Sequence, residues 1–134
     1  MKHLPLISLL LVALSCSRPS STETFLRGTG PYEFALDLID STAVWDISLY
    51  TRVDAADAPS EMELCATWTS PSAESLTETV YLPLSAGTSF FSQEACVLYR
   101  TAVSPAERGL WTLTFSVPEP PDGLRGLGLV VARK

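Results

Sequence analysis

The sequence predicts an all-β fold, an antiparallel β-sandwich of about seven strands that follows an N-terminal signal segment and a short tether. Three observations carry this. Apolar residues alternate with polar ones at period two through most of the chain, the alternating runs are separated by clusters of turn-forming residues, and no window of eleven residues shows a helical stripe. The segment boundaries that follow are a signal over residues 1–15, a tether over 16–29 and a sandwich domain over 30–134.

The first alternation is Tyr32, Phe34, Leu36 and Leu38, with Glu33, Ala35 and Asp37 between them. It returns in Trp45, Ile47 and Leu49, in Met62, Leu64, Ala66 and Trp68, and in Val80, Leu82 and Leu84. Val97, Tyr99, Thr101 and Val103 form the next run, and Trp111, Leu113, Phe115 and Val117 the one after it. The last run, Leu127, Leu129 and Val131, carries apolar residues on both parities. Between the runs lie Asp40-Ser41-Thr42, residues 54–60 with Pro59, Ser70-Pro71-Ser72, Ser85-Ala86-Gly87, Ser104-Pro105 and the proline-rich residues 118–123. Each supplies turn chemistry. Pro83 falls inside a run, which points to an edge strand or a bulge because proline cannot donate to a ladder. Residues 85–94 and 104–108 are the two places where a short helical turn fits.

Strands with one apolar face need a second layer to cover it, and two facing antiparallel sheets meet that need. The core is expected to form on Phe34, Trp45, Trp68, Trp111 and Phe115. A Trp111 found at the surface would instead be a binding residue.

The N-terminal apolar stretch over residues 4–14 is interrupted by Pro5 and Ser8 and is far shorter than the roughly 20 residues that cross a bilayer. It follows Met1-Lys2-His3 and ends at the small residue Ser15, the layout of a cleaved secretory signal. A cysteine directly follows, and Ala13-Leu14-Ser15-Cys16 resembles the lipobox of bacterial lipoproteins in a looser, Bacteroidetes-type form. That resemblance implies a lipidated Cys16, and several acyl chains at about 0.8 kcal/mol per buried CH₂ anchor a protein without any spanning helix. Plain secretion with Cys16 incidental is the other reading. The polar residues 17–24 read as a flexible tether. Ser17 stands where an inner-membrane retention aspartate would be, and no acidic surface-export run follows, so the expected location is periplasm-facing, on the outer membrane.

Removal of residues 1–15 takes away Lys2 and leaves 119 residues with eight basic and fifteen acidic side chains, a net charge of −7. An acidic chain without a basic cluster repels phosphate backbones, so nucleic acid is not an expected partner. The length suits one hydrophobic core.

Cys65 and Cys96 remain as an even pair in an oxidising compartment. Each alternates with polar neighbours, so both thiols are expected on outer faces, where a bridge between neighbouring strands would contribute about 3 to 4 kcal/mol in the chain-entropy model. Two separate thiols are the alternative, because register cannot be read from sequence. The sole histidine, His3, leaves with the signal, which removes Ser-His-Asp and Cys-His arrangements from the mature chain. Asp37, Asp40 and Asp46 are the nearest carboxylate cluster for glycoside hydrolysis, but spacing alone cannot set two of them across one bond, and solvated turn acids are the ordinary explanation. Asp54 and Asp57 lack the rest of a calcium ladder, and Arg125-Gly126-Leu127-Gly128 lies inside a strand rather than opening a phosphate loop. No catalytic residue, cofactor or metal ligand is assigned.

Residues 109–115, GLWTLTF, followed by residues 124–131, LRGLGLVV, resemble the C-terminal pattern of the gliding-motility-associated GldH-like lipoproteins. Trp45 and the strand ending in Arg52, Ser70-Pro71, and residues 79–84, TVYLPL, fit the same order. The resemblance covers most of residues 30–132 and implies a non-catalytic cell-envelope lipoprotein, a structural or protein-interaction module linked to gliding motility or type IX secretion machinery. A tethered glycan-binding sandwich, with Tyr50, Tyr81 or Tyr99 stacking on sugar rings, is the alternative. Gly126 and Gly128 share one strand face and admit a close ring, for which Trp111 is the expected occupant.

Overall fold

The computed structural model describes residues 21–54, 59–84 and 93–134, with side chains from residue 97 onward in the last span. Among the described residues there are eight strands: β1 (Ser21–Arg27), β2 (Tyr32–Leu38), β3 (Trp45–Val53), β4 (Glu61–Thr69), β5 (Ser75–Pro83), β6 (Gln93–Val103), β7 (Gly109–Ser116) and β8 (Leu124–Arg133). They form two four-stranded antiparallel sheets, one ordered β1-β8-β3-β6 and the other β2-β7-β4-β5. The sandwich expected from the alternation is the observed fold.

The alternation sets which face is buried. In β2 the odd–even pattern is complete, with Tyr32, Phe34, Leu36 and Leu38 buried and their neighbours exposed. In β3 Trp45, Ile47, Leu49, Thr51 and Val53 point inward, and the Thr51 hydroxyl is satisfied by the Gly126 carbonyl at 2.7 Å. Met62, Leu64 and Ala66 of β4 and Leu113 and Phe115 of β7 are buried on the other sheet's inner face, with Ala66 opposite Phe115. At roughly 25 cal/mol per Å² of apolar surface, this single core supplies the main favourable term.

The tether reading of residues 16–29 is corrected from Ser21 onward, and with it the domain start at residue 30. Residues 21–27 are β1, paired through their whole length with β8 from Ser21 opposite Ala132 to Arg27 opposite Gly126. The polar sequence STET hides the strand because β1 is an edge strand whose side chains stay largely exposed. Its backbone ladder, rather than an apolar stripe, joins it to the sheet. This raises the strand count to eight. β5 also starts earlier than the alternation shows, at Ser75, and Pro83 closes it on a sheet edge as expected. Residues 104–108 form bends and no helix, and residues 85–92 and Cys16 lie outside the described residues.

β6 departs from simple alternation. Its register against β3 shifts between Trp45 and Ile47 and again between Ile47 and Ser48, and Ala102 adopts a positive φ of 51°. These bulges break the face expected to carry Val97, Tyr99, Thr101 and Val103 together. Val97, Tyr99 and Val103 pack on the core, whereas Thr101 turns out and donates to Asp46 at 3.0 Å.

All the short connections at one end of the sandwich, β2–β3, β4–β5 and β6–β7, gather beside Ser21 and Arg133. Arg108 ties two of them: its Nη1 donates to the carbonyls of Asp40 (2.8 Å) and Ala43 (3.2 Å) while its guanidinium lies 5.6 Å from the Trp45 ring centroid. At the opposite end the Tyr32 hydroxyl donates to the Gly28 carbonyl and closes the β1–β2 turn.

Candidate functional site: a groove at the open end

The inner face of the β2-β7-β4-β5 sheet runs past the edge of its partner. In the ladder Leu76 stands opposite Trp68, and Trp68 opposite Leu113. Leu113 is fully buried, Trp68 is half-buried and Leu76 is 67 % exposed, so cover fails progressively toward the β5 edge. The result is a half-open groove of about 400 Å³. Leu38, Trp68, Trp111 and Val103 line its depth, Leu76 and Pro105 its sides, and Glu74, Glu78, Arg100 and Glu107 reach its rim.

A row of rings leads from the core to this groove. Phe34 meets Phe115 edge-on (6.1 Å), Phe115 meets Tyr99 (5.8 Å), Tyr99 stacks on Trp68 (6.0 Å, 24°), and Trp68 meets Trp111 edge-on (6.2 Å, 78°). Both indole N–H groups are already used. Trp68 Nε1 donates to the Tyr99 hydroxyl at 2.9 Å and Trp111 Nε1 to the Glu107 carbonyl at 2.8 Å. The tryptophans therefore offer the groove apolar and π surface and no donor.

The rim is organised around Glu78. The Tyr99 hydroxyl donates to Glu78 Oε1, and Arg100 Nη2 holds both carboxylate oxygens, with the guanidinium 4.6 Å from the Tyr99 ring centroid. Burial, then the bond to Glu78, raises the Tyr99 pKa above the usual phenol range. Glu78 sits on β5 and Tyr99 and Arg100 on β6, so this cluster staples the edges of the two sheets. Glu107 Oε2 accepts from the Ser72 hydroxyl at 2.7 Å, and the β4–β5 turn is held by Ser70, whose Oγ accepts from Glu74 N at 3.1 Å.

The residues singled out from sequence are dispersed. Cys65 carries a free, half-buried thiol on β4, opposite Thr79 and Ser116 of its own sheet. Cys96 stands opposite Tyr50 in the other sheet, and its side chain lies outside the described residues. Of the two readings, a bridge between neighbouring strands or separate thiols, the free Cys65 favours the second, since β4 and β6 are not neighbours in either sheet. Parity foretold a side of the sheet and not which sheet. Asp37 accepts from Ile39 N, Asp40 from Thr42 and Arg133, and Asp46 from Ala102 N and Thr101, so the three carboxylates serve separate local structures. Hydrogen bonds from Thr42 lower the Asp40 pKa, with Arg133 adding to them, and the Ala102 amide lowers that of Asp46. Asp54 pairs with Arg125 at 2.6 Å, and Asp57 lies outside the described residues. Among the described residues no three His, Cys, Asp or Glu side chains gather as a metal site.

Trp111 does not cover the glycines of β8, which is a second correction. It belongs to the opposite sheet. Tyr50 of β3 lies over Gly128 and Phe25 of β1 over Gly126, their rings 5.7 Å apart and within 17° of parallel. Tyr81 is 58 % exposed, and Tyr99 is enclosed in the Glu78 cluster. Leu76, Glu78 and Arg100 gave no sequence signal, since the first two fall before the visible alternation of β5 and the third meets Glu78 only across the sheets. A comparison of the chain with protein-family models, with curated proteins and with solved structures finds no match in any of the three.

Proposed function

We propose that this chain is a non-catalytic cell-envelope lipoprotein, anchored by lipid on Cys16 and facing the periplasm from the outer membrane, whose sandwich is a structural or protein-interaction module. The observation that supports it most is the position of the groove. It opens at the end of the sandwich where β1 begins, and Ile39 (62 % exposed) and Leu110 (59 %) stand exposed at the same end. With Leu76, three of the five large exposed apolar side chains among the described residues lie at this end, a concentration that favours an interaction surface. Five residue steps separate Cys16 from Ser21, a reach of at most about 18 Å, so an anchor at Cys16 would hold this end close to the bilayer. The likeness to GldH-like lipoproteins extends the proposal to gliding motility or type IX secretion machinery as the assembly served.

The test has two parts. An alkyne fatty-acid probe should label the wild-type protein in cells and leave Cys16→Ser unlabelled. A photo-crosslinking residue at Ile39 should trap a protein partner in cells while one at Glu119, at the opposite end, should not. Absence of label, or equal trapping from both ends, overturns the proposal.

The near-parallel Phe25 and Tyr50 rings favour a second reading, a tethered glycan-binding module, since the face of an aromatic ring suits a sugar face. Binding to an oligosaccharide panel that is lost in Phe25→Ala and retained in Trp68→Ala would support it. A panel without any binding removes it.

A further inference from the structure

We propose that the groove at the open end receives a segment of a partner protein that inserts a cationic side chain beside an aliphatic or aromatic one. This rests on the interaction-module reading and specifies its ligand.

Charge complementarity carries the proposal. Glu74, Glu78 and Glu107 line an apolar floor, and among the described residues Arg100 is the only cation that lines it. Arg100 is already held by Glu78 and packed over the Tyr99 ring, which leaves the carboxylates of Glu74 and Glu107 to meet an incoming positive charge. Among the described residues Glu74 has no side-chain bond or ion pair, and the Glu107 carboxylate accepts from Ser72 alone. With both indole N–H groups committed, the walls present acceptors at the rim and π surface below. That combination favours an organic cation on an apolar stem over an anion or a neutral polar group.

The shape selects a peptide over a free small molecule. Small ligands need most of their surface enclosed, and this groove is half-open, with its β5 wall at Leu76 largely exposed. β5 is terminal in its sheet, so a row of its backbone groups has no strand partner among the described residues. An extended segment lying beside Ser75 and Leu76 could use those groups while its side chains enter the groove.

The full chain, purified in a non-ionic detergent, should be titrated with three probes: a hexapeptide alternating leucine and arginine, one alternating leucine and glutamate, and tetrapropylammonium. The Leu-Arg peptide is expected to change the fluorescence of Trp68 and Trp111 and to bind far more tightly than the other two. Glu74→Gln with Glu107→Gln should weaken it by about fivefold to tenfold, the range for two partly exposed ion pairs. Equal binding of the acidic peptide, tighter binding of tetrapropylammonium, or an unchanged affinity in the double variant overturns the proposal. If the Leu-Arg peptide fails to bind while crosslinking from Ile39 still traps a partner, the cationic specificity alone is wrong. If that crosslink also vanishes, the interaction reading falls with it.

Discussion

Tyr50 lies flat against the backbone of Gly128, so closely that a Cβ built on the glycine would stand 2.1 Å from the ring. The two residues face each other in the β3–β8 ladder, and the ring fills the space that a side chain at 128 would take. At Gly126 a Cβ would meet the Leu26 carbonyl oxygen first, at 2.2 Å, and then the Phe25 ring at 2.7 Å.

Gly128→Ala should therefore destabilise the sandwich by about 1 to 3 kcal/mol or more, the usual cost of overpacking. Urea denaturation of Gly128→Ala, Tyr50→Ala and the double variant checks the cause. In the double variant the methyl finds room, so its loss should be smaller than the sum of the singles. Strict additivity would show that the contact is not what holds residue 128 to glycine.

Trp111 is half-buried, so its truncation should cost less than the roughly 3 to 5 kcal/mol of a fully buried tryptophan, with about 1 to 3 kcal/mol expected. Leu113→Ala, two residues along the same strand and fully buried, should cost about 2 to 5 kcal/mol. Thermal melts of both variants make the comparison. A larger loss for Trp111→Ala than for Leu113→Ala would mean that the groove floor is closed in solution.

Asp40 and Asp46 have folded-state pKa values below the ordinary carboxylate value. A depressed folded pKa contributes stability above the unfolded pKa, and that contribution is lost as pH falls through the folded value. Denaturation midpoints should thus hold from neutrality to about pH 5 and decline below about pH 4. Asp46→Asn should flatten the acid decline and lower the neutral-pH midpoint. A variant with the wild-type pH profile would detach Asp46 from the β3–β6 contact with Ala102.

The free Cys65 thiol should react with a maleimide in the folded protein, and mass analysis should show no change on reduction. Cys65→Ser should shift stability by no more than about 0.5 kcal/mol, as expected of a partly exposed site without special contacts. A mass that rises on reduction would restore the bridge to Cys96.

Hydrogen exchange distinguishes a strand from a tether in residues 21–27. Alternate amides bonded to β8 should be protected. Uniformly fast exchange would return these residues to the tether.

The alternation of Tyr32, Phe34, Leu36 and Leu38, and its repeats through Phe115, determined the fold class and most inward faces, because period two has one geometric meaning once a face must be buried. Pro83 likewise marked an edge by chemistry that needs no partner. β1 was illegible because an edge strand is held by backbone bonds that any side chain permits. Only the tertiary structure decided which strands share a sheet, and so it alone separated Cys65 from Cys96 and put Tyr50 rather than Trp111 over Gly128. The groove belongs to the same class of information. Leu76, Trp68, Trp111, Glu78 and Arg100 come from four strands, and a site built across two sheets depends on their offset, which no local pattern encodes.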